Sequence, residues 1–267
     1  MIDVAVVNTT IQSSMVVVAR LARCRVVWWC HESDESLRSP LMRLRLGLYR
    51  WLAHEQVAVS EAVPCASTYS RRIRNIVEPV EAFPHDGGDL LVLGTKCHRK
   101  GIDRLPGLLF GLSTDHDLSL NVVGWSDPRE HEIISQAHAA LDRQWGERLS
   151  WEDGLVDPDD AYRRARVLLL PSRQDPRPRV VEEALGRGIP VVASCLPGLR
   201  EIATTVRSSG ALVLLDEDGS WPDAVRAALA FGTSPTTFID PFSPEEFLDA
   251  WILALLDVHH RGSGRAP

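Results

Sequence analysis

Residues 1–30 hold no glycine at all, so no glycine-rich ligand loop is available before His31. The five cysteines, Cys24, Cys30, Cys65, Cys97 and Cys195, are scattered and form no CxxC pair. That spacing excludes a zinc-binding cysteine set, and an odd count leaves one thiol outside any disulfide framework, which points to a reducing compartment. The nine histidines form neither HExxH nor HxxxH, so no metal is expected. The most apolar runs, MVVVARLARCRVVWWC and DAWILALLDV, are short or broken by charge, and no membrane span is expected. The opening MIDVAVVNTT lacks the basic start and apolar core of a signal peptide. The expected location is the cytoplasm, a peripheral place at the inner face of the membrane included. Positive charge is also short: 29 Lys and Arg face 36 Asp and Glu, a net −7 that argues against nucleic acid as a partner. It leaves cations enough for a local anion site.

What is present is the make-up of a globular protein, 45% apolar and 24% charged over 267 residues. Short runs of Val and Leu alternate with helical patterns almost throughout. Strands are predicted at 3–8, 25–30, 56–60 and 75–79, with helices near 11–23, 37–54 and 61–73 between them. After AFPHDGGD (82–89) the rhythm restarts, with strands in DLLVLGT, LSLNVVG, RLSWED, VLLLPS, IPVVAS and ALVLLD. Continuous apolar strands alternating with helices imply parallel sheets covered on both faces. The expected divisions are 1–84, an incomplete Rossmann-like unit; 85–232, a complete one; and 233–267, whose helix PEEFLDAWILALLDVHH crosses back onto the first unit.

In such sheets ligands bind beyond the carboxyl ends of the strands, where helix starts offer free N–H groups. Four stretches of the second unit fall there. GTKCHRKGID turns at Gly94 and Thr95 and puts Lys96, Arg99 and Lys100 at a helix start, a place for phosphate or a solvated basic turn. It matches neither GxGxxG nor GxxxxGK[ST]. GWSD turns at Gly124, as a ligand edge or a plain turn. WEDGLVD offers Trp151 and Asp153 to a flat heterocycle, with Trp151 equally suited to ordinary core. The longest stretch is SRQDPRPRVVEEALGRG. Ser172 opens the loop, Pro178 suits a helix start and Gly188 a helix stop. Asp175 in the loop and Glu183 one turn into the helix are placed to bind vicinal sugar hydroxyls. Arg177, Arg179 and the backbone at Val180 are placed to hold an anion. Glu182 is expected on a solvated face. Phosphate, heterocycle and polyol features at successive strand ends describe a nucleotide-sugar site.

Over nearly the whole chain, and most densely at 89–206, the sequence resembles the retaining glycosyltransferases of the GT-B fold, family four (glycosyl transferases group 1). LLVLGTKCHRKGIDRL is similar to the family's strand, glycine and Lys-Gly segment. DAYRRARVLLLPSRQDPRPRVVEEALGRGIPVVASCLPGLREI is similar to its longest signature, with the carboxylate-x7-carboxylate motif at Asp175 and Glu183. VVWWCHES and VAVSEAV resemble parts of its acceptor-side domain. The resemblance implies an α/β, GT-B-like fold of two Rossmann-like parallel-sheet units facing across a cleft, the N-terminal one incomplete. It implies transfer of a sugar from a nucleotide-diphosphate donor, with retention and no cofactor or metal, to a carbohydrate, lipid-linked or small-molecule acceptor. Lys100 would neutralise the diphosphate, Asp175 address the donor sugar, Glu183 hold the ribose, and His31 lie near the reacting sugar. The family's arginine after the strand glycine is Thr95 here, so Lys96 or Arg99 would substitute. Arg177 stands where the family's Asp-Pro-x-Pro pattern carries an aromatic. Two other readings stay open, the first of them favoured by the glycine-free start. One is a nucleotide-sugar-binding partner without its own activity, completed by a companion chain or a second copy; the other is a related GT-B enzyme such as a sugar-nucleotide epimerase.

Overall fold

The computed structural model describes residues 3–8, 14–31, 40–63, 71–77, 88–154, 157–240 and 242–260. The predicted boundary loop at 82–88 (apart from Gly88), most of the predicted helix at 61–73 and the tail at 261–267 lie outside these. Two compact units emerge: Met1–Val77 with Phe242–Pro267, and Glu78–Pro241.

The first unit is built on β1 (Val4–Asn8), α1 (Ser14–Leu21), β2 (Arg25–Cys30), α2 (Pro40–Leu52), β3 (Glu55–Ala58) and β4 (Arg71–Arg72). The strands form one parallel sheet in the order β1-β2-β3-β4. Side chains alternate across the sheet, so β2 buries two sets. Val26, Trp28 and Cys30 meet Val16 of α1 and Leu46 and Tyr49 of α2. That valine-rich α1 is a helix at all reflects packing overriding propensity. Val27 points the other way and joins Val57, Ile73, Trp251, Ala254 and Val258. The two arginines of β4 stand inside the stretch predicted as helix 61–73. Of the strand predicted at 75–79, residues 78–79 lie outside the described residues, and Val77 makes an isolated antiparallel bridge to Phe242.

The second unit runs β5 (Asp89–Leu93), α3 (Leu105–Leu108), β6 (Ser119–Val123), α4 (His131–Trp145), β7 (Leu149–Glu152), α5 (Pro158–Arg164), β8 (Ala165–Leu170), α6 (Arg179–Gly186), β9 (Val191–Ser194), α7 (Pro197–Ala203), β10 (Leu212–Leu215) and α8 (Trp221–Phe231). All six strands are parallel, in the order β10-β9-β8-β5-β6-β7. Successive strands step outward from β5 in one direction and from β8 in the other. The crevice of such a sheet opens between those two strands. Both are buried: Leu90, Leu91, Val167, Leu168 and Leu169 show no exposure, each worth about 1.5–3 kcal/mol on transfer from water.

The last helix, α9 (Pro244–His260), packs on β2 and β1 within the first unit. The division before it falls at 241/242 rather than the predicted 232/233. Hydrogen bonds explain this: Ser234 N donates to Gly188 O at 2.9 Å and Phe238 N to Leu185 O at 2.8 Å. The Pro/Thr-rich segment is therefore part of the second unit and not a linker. No helix among the described residues is long and apolar enough to cross a membrane.

Candidate functional site

The loops after β5 and β8 meet at the point where the strand order reverses. The first holds Gly94 to Gly101 and the second Pro171 to Pro178, which leads into α6. Gly101 adopts φ 76°, and a Cβ there would come within 2.1 Å of Pro171 O, so only glycine allows the loops to touch. Side chains then lock them together. Arg173 donates to Asp103 through two bonds of 2.7 and 2.8 Å and to His98 O at 2.8 Å. Arg99 reaches Gln174 O at 3.2 Å.

Within this frame Lys100 Nζ donates to Asp175 Oδ2 at 2.5 Å. The lysine is partly open to solvent and the carboxylate nearly closed, with side-chain exposures of 22% and 9%. Ser172 Oγ beside them is buried and has no hydrogen-bond partner among the described residues. Such an orphan is costly unless a ligand or water completes it. Gly94, Thr95, Lys96, Lys100 and Ser172 line one small cavity here.

One turn into α6, Glu183 Oε2 accepts from Tyr162 at 3.0 Å and Oε1 from Arg179 at 3.3 Å. Burial and the carboxylate push the Tyr162 phenol well above its ordinary value, so it stays a donor. The Arg187 guanidinium lies 4.6 Å from the centre of the Tyr162 ring. Each Glu183 oxygen keeps a lone pair for further donors. Val180 stands in the first turn of α6, half-buried, beside the exposed Arg179.

Two residues read as donor contacts have their charges engaged within the protein. Lys96 is only 1% exposed, and its ammonium donates to Gly124 O and Glu152 O at 2.6 Å and to Asp153 Oδ1 at 2.9 Å. It joins the ends of β5, β6 and β7. Burial lowers its pKa and the bond to Asp153 opposes that shift. Its charge is spent on neighbours, so it is a strut and not a free phosphate cation. Lys96→Met should cost about 1–3 kcal/mol for each carbonyl left unsatisfied, read as a lower thermal midpoint. Arg177 is likewise enclosed, with 2% side-chain exposure. It donates to Glu182 at 2.5 and 3.2 Å and to Glu201 of α7 at 3.1 Å. Glu182, expected on a solvated face, is 1% exposed. It lies on the inward face of α6 with Val181 and Leu185, a stripe that the helical period could have revealed. The Asp175 loop also seats on α7: a Cβ on Gly198 would lie 1.8 Å from Pro176 O.

Trp151 is half-buried, stacked on His138 at 4.4 Å and 16°, with the Lys96 ammonium 5.0 Å from its ring. Asp153 and Gly124 stay at the rim, Asp153 also accepting from Ser126 at 2.5 Å. His31 belongs to the first unit, directly after β2, its ring 4.1 Å from that of Trp29.

Known proteins share this architecture. The chain is 31% identical over 157 residues to D-inositol 3-phosphate glycosyltransferase 1 of Catenulispora acidiphila, covering 55% of this chain and 37% of that protein. It therefore spans little more than a third of that relative. Among solved structures it resembles Anabaena Alr3699/HepE in complex with UDP and glucose, at a TM-score of 0.73 and 17% identity. That match covers 97% of this chain and 76% of the other. It also resembles an alpha,alpha-trehalose-phosphate synthase (UDP-forming) from Burkholderia vietnamiensis, at 0.71 and 12%, covering 97% and 72%. At these identities the structures establish the GT-B-like fold of paired parallel-sheet units. The loops of the crevice, with Lys100, Asp175 and Glu183, all fall inside residues 88–230, which match the family described as Glycosyl transferases group 1. That segment is more than half of the sequence, and the chain belongs to this family.

Proposed function

We infer that the chain is a glycosyltransferase that takes a sugar from a nucleotide diphosphate and passes it to an acceptor hydroxyl with retention of configuration. The carrying observation is the Lys100–Asp175 pair at the strand-order reversal, beside the start of α6 with Glu183. The diphosphate would replace Asp175 as the partner of Lys100, and the N–H groups of Arg179 and Val180 would add the positive end of α6. Asp175, released, would accept from the sugar hydroxyls. Glu183, held by Tyr162, would accept from the two ribose hydroxyls. Trp151 and the Gly124 edge would border the base.

The bond from the anomeric carbon to the diphosphate breaks, the acceptor oxygen forms the new bond, and its proton leaves with the nucleoside diphosphate. The charge that develops on the leaving group falls at Lys100, so this chemistry rests on side chains and needs no added metal. Retention rests on the resemblance of the carboxylate-x7-carboxylate segment. The acceptor class is a carbohydrate, a lipid-linked sugar or a small polyol. The five scattered cysteines, an odd count with no CxxC pair, favour the reducing cytoplasm.

Calorimetry with UDP, GDP and ADP tests the donor half. One nucleotide should bind, and Glu183→Gln should weaken it at least ~10-fold, the scale of a lost hydrogen bond to a charged acceptor. Unchanged affinity would remove Glu183 from the site. Turnover assays with the matching nucleotide sugars separate an enzyme from a binding partner: tight binding without transfer or hydrolysis would support the latter.

A further inference from the structure

The outer faces of α1 and α2 are apolar where a solvated protein would be polar. Met15, Val18 and Leu21 of α1 are exposed, as are Leu44, Leu48 and Trp51 of α2. Leu21, Leu44 and Trp51 reach 80, 73 and 79% exposure. Their spacings of three and four residues place each set on one helix face. The two helices are neighbours over the same side of the sheet, so both sets lie on the outside of one helical layer. Exposed apolar faces of this kind mark an interaction surface.

Charge decides the partner. Residues 14–31 and 40–54 contain no Asp or Glu, in a chain whose net charge is −7. Arg20, Arg23 and Arg45 are exposed on or beside these helices. The first unit carries a second exposed apolar stripe, Leu248, Ile252, Leu253 and Leu256 of α9. It lies on the opposite side of the sheet and shares its helix with Glu245, Glu246, Asp249 and Asp257. One apolar face is thus cationic and the other acidic. Exposed leucines with a tryptophan and arginines suit the boundary between headgroups and acyl chains of an anionic bilayer. The acidic face would turn away from it.

We propose that the α1–α2 face docks the first unit on anionic lipid bilayers, with Leu48 and Trp51 entering the acyl boundary and arginines meeting headgroups. This is independent of the transfer chemistry. Each arginine near an anionic surface is worth roughly fivefold in partitioning.

The full chain is to be sedimented with vesicles of phosphatidylcholine containing phosphatidylglycerol, and with phosphatidylcholine alone. It should pellet with the anionic vesicles, and binding should fall steeply at about 1 M salt, where charges are screened beyond ~3 Å. Leu48→Asp combined with Trp51→Glu should reduce binding at least tenfold, on the order of the apolar and charge terms lost. Ile252→Asp on α9 should leave it unchanged. Arg45→Glu, an exposed single change, gives a second variant should the double one misfold, and should also weaken binding. Wild-type protein staying in the supernatant of anionic vesicles would overturn the proposal. So would equal binding to neutral vesicles, or both variants binding as well as wild type. A dimer that becomes a monomer in the double variant, with vesicle binding unaltered, would assign the face to a second copy instead.

Discussion

Replacing Arg177 with alanine should destabilise the second unit by about 3–5 kcal/mol, because it leaves the buried Glu182 without its main counter-charge. The guanidinium spans Glu182 of α6 and Glu201 of α7 with almost no access to water, and its loss removes a buried ion pair from each. At roughly 2–4 °C per kcal/mol for a unit of this size, thermal melting would show the shift clearly. The paired change Arg177→Met with Glu182→Leu should restore most of the loss, since apolar replacements of a buried ion pair are often neutral or better. A single variant that melts with the wild type would show that the pair contributes nothing. Separately, a paired variant as unstable as Arg177→Ala would show that Arg177 acts through something other than Glu182. The residue that looked like a donor contact is then a brace under the Asp175 loop.

Lys100→Ala should lower turnover by about 10²–10³-fold, the scale of losing one preorganised charge at a developing anion. On the proposed chemistry the loss falls on kcat, because the lysine matters most as the diphosphate departs. Its removal also takes from Asp175 the cation it pairs with, and this adds unneutralised charge where an anionic donor must bind. KM for the donor should therefore rise as well. Steady-state kinetics over a range of donor concentrations read both quantities. A kcat within a factor of a few of wild type would take Lys100 out of the leaving-group role.

Much of the second unit is visible in its residues. Continuous Val and Leu runs at six strands, with helices between, dictate a covered parallel sheet, and the turns at Gly94 and Gly101 follow from their neighbours. What escapes is pairing across sequence distance. Lys96 lies among cations in a loop, so local reading gives it to phosphate; only the register of β5, β6 and β7 reveals three acceptors around it. Arg177 and Glu201 are 24 residues apart, and nothing local says they meet. Glu182 was readable, since its helical stripe is otherwise apolar, but a carboxylate is assigned to water by default. In the first unit the short β4 is made of two arginines, a composition that carries no strand signal.

The bonds that tie Arg173 to Asp103 and Arg99 to Gln174 have a thermodynamic consequence. Two surface loops that are each free to wander must lose that freedom when they close on a ligand, at a cost paid per side chain immobilised. Here the cross-links already remove it, through five donor–acceptor contacts that include the Arg99 and Arg173 main chains. Donor association would then show a small entropic penalty, and the two loops would exchange their amide hydrogens at one shared rate.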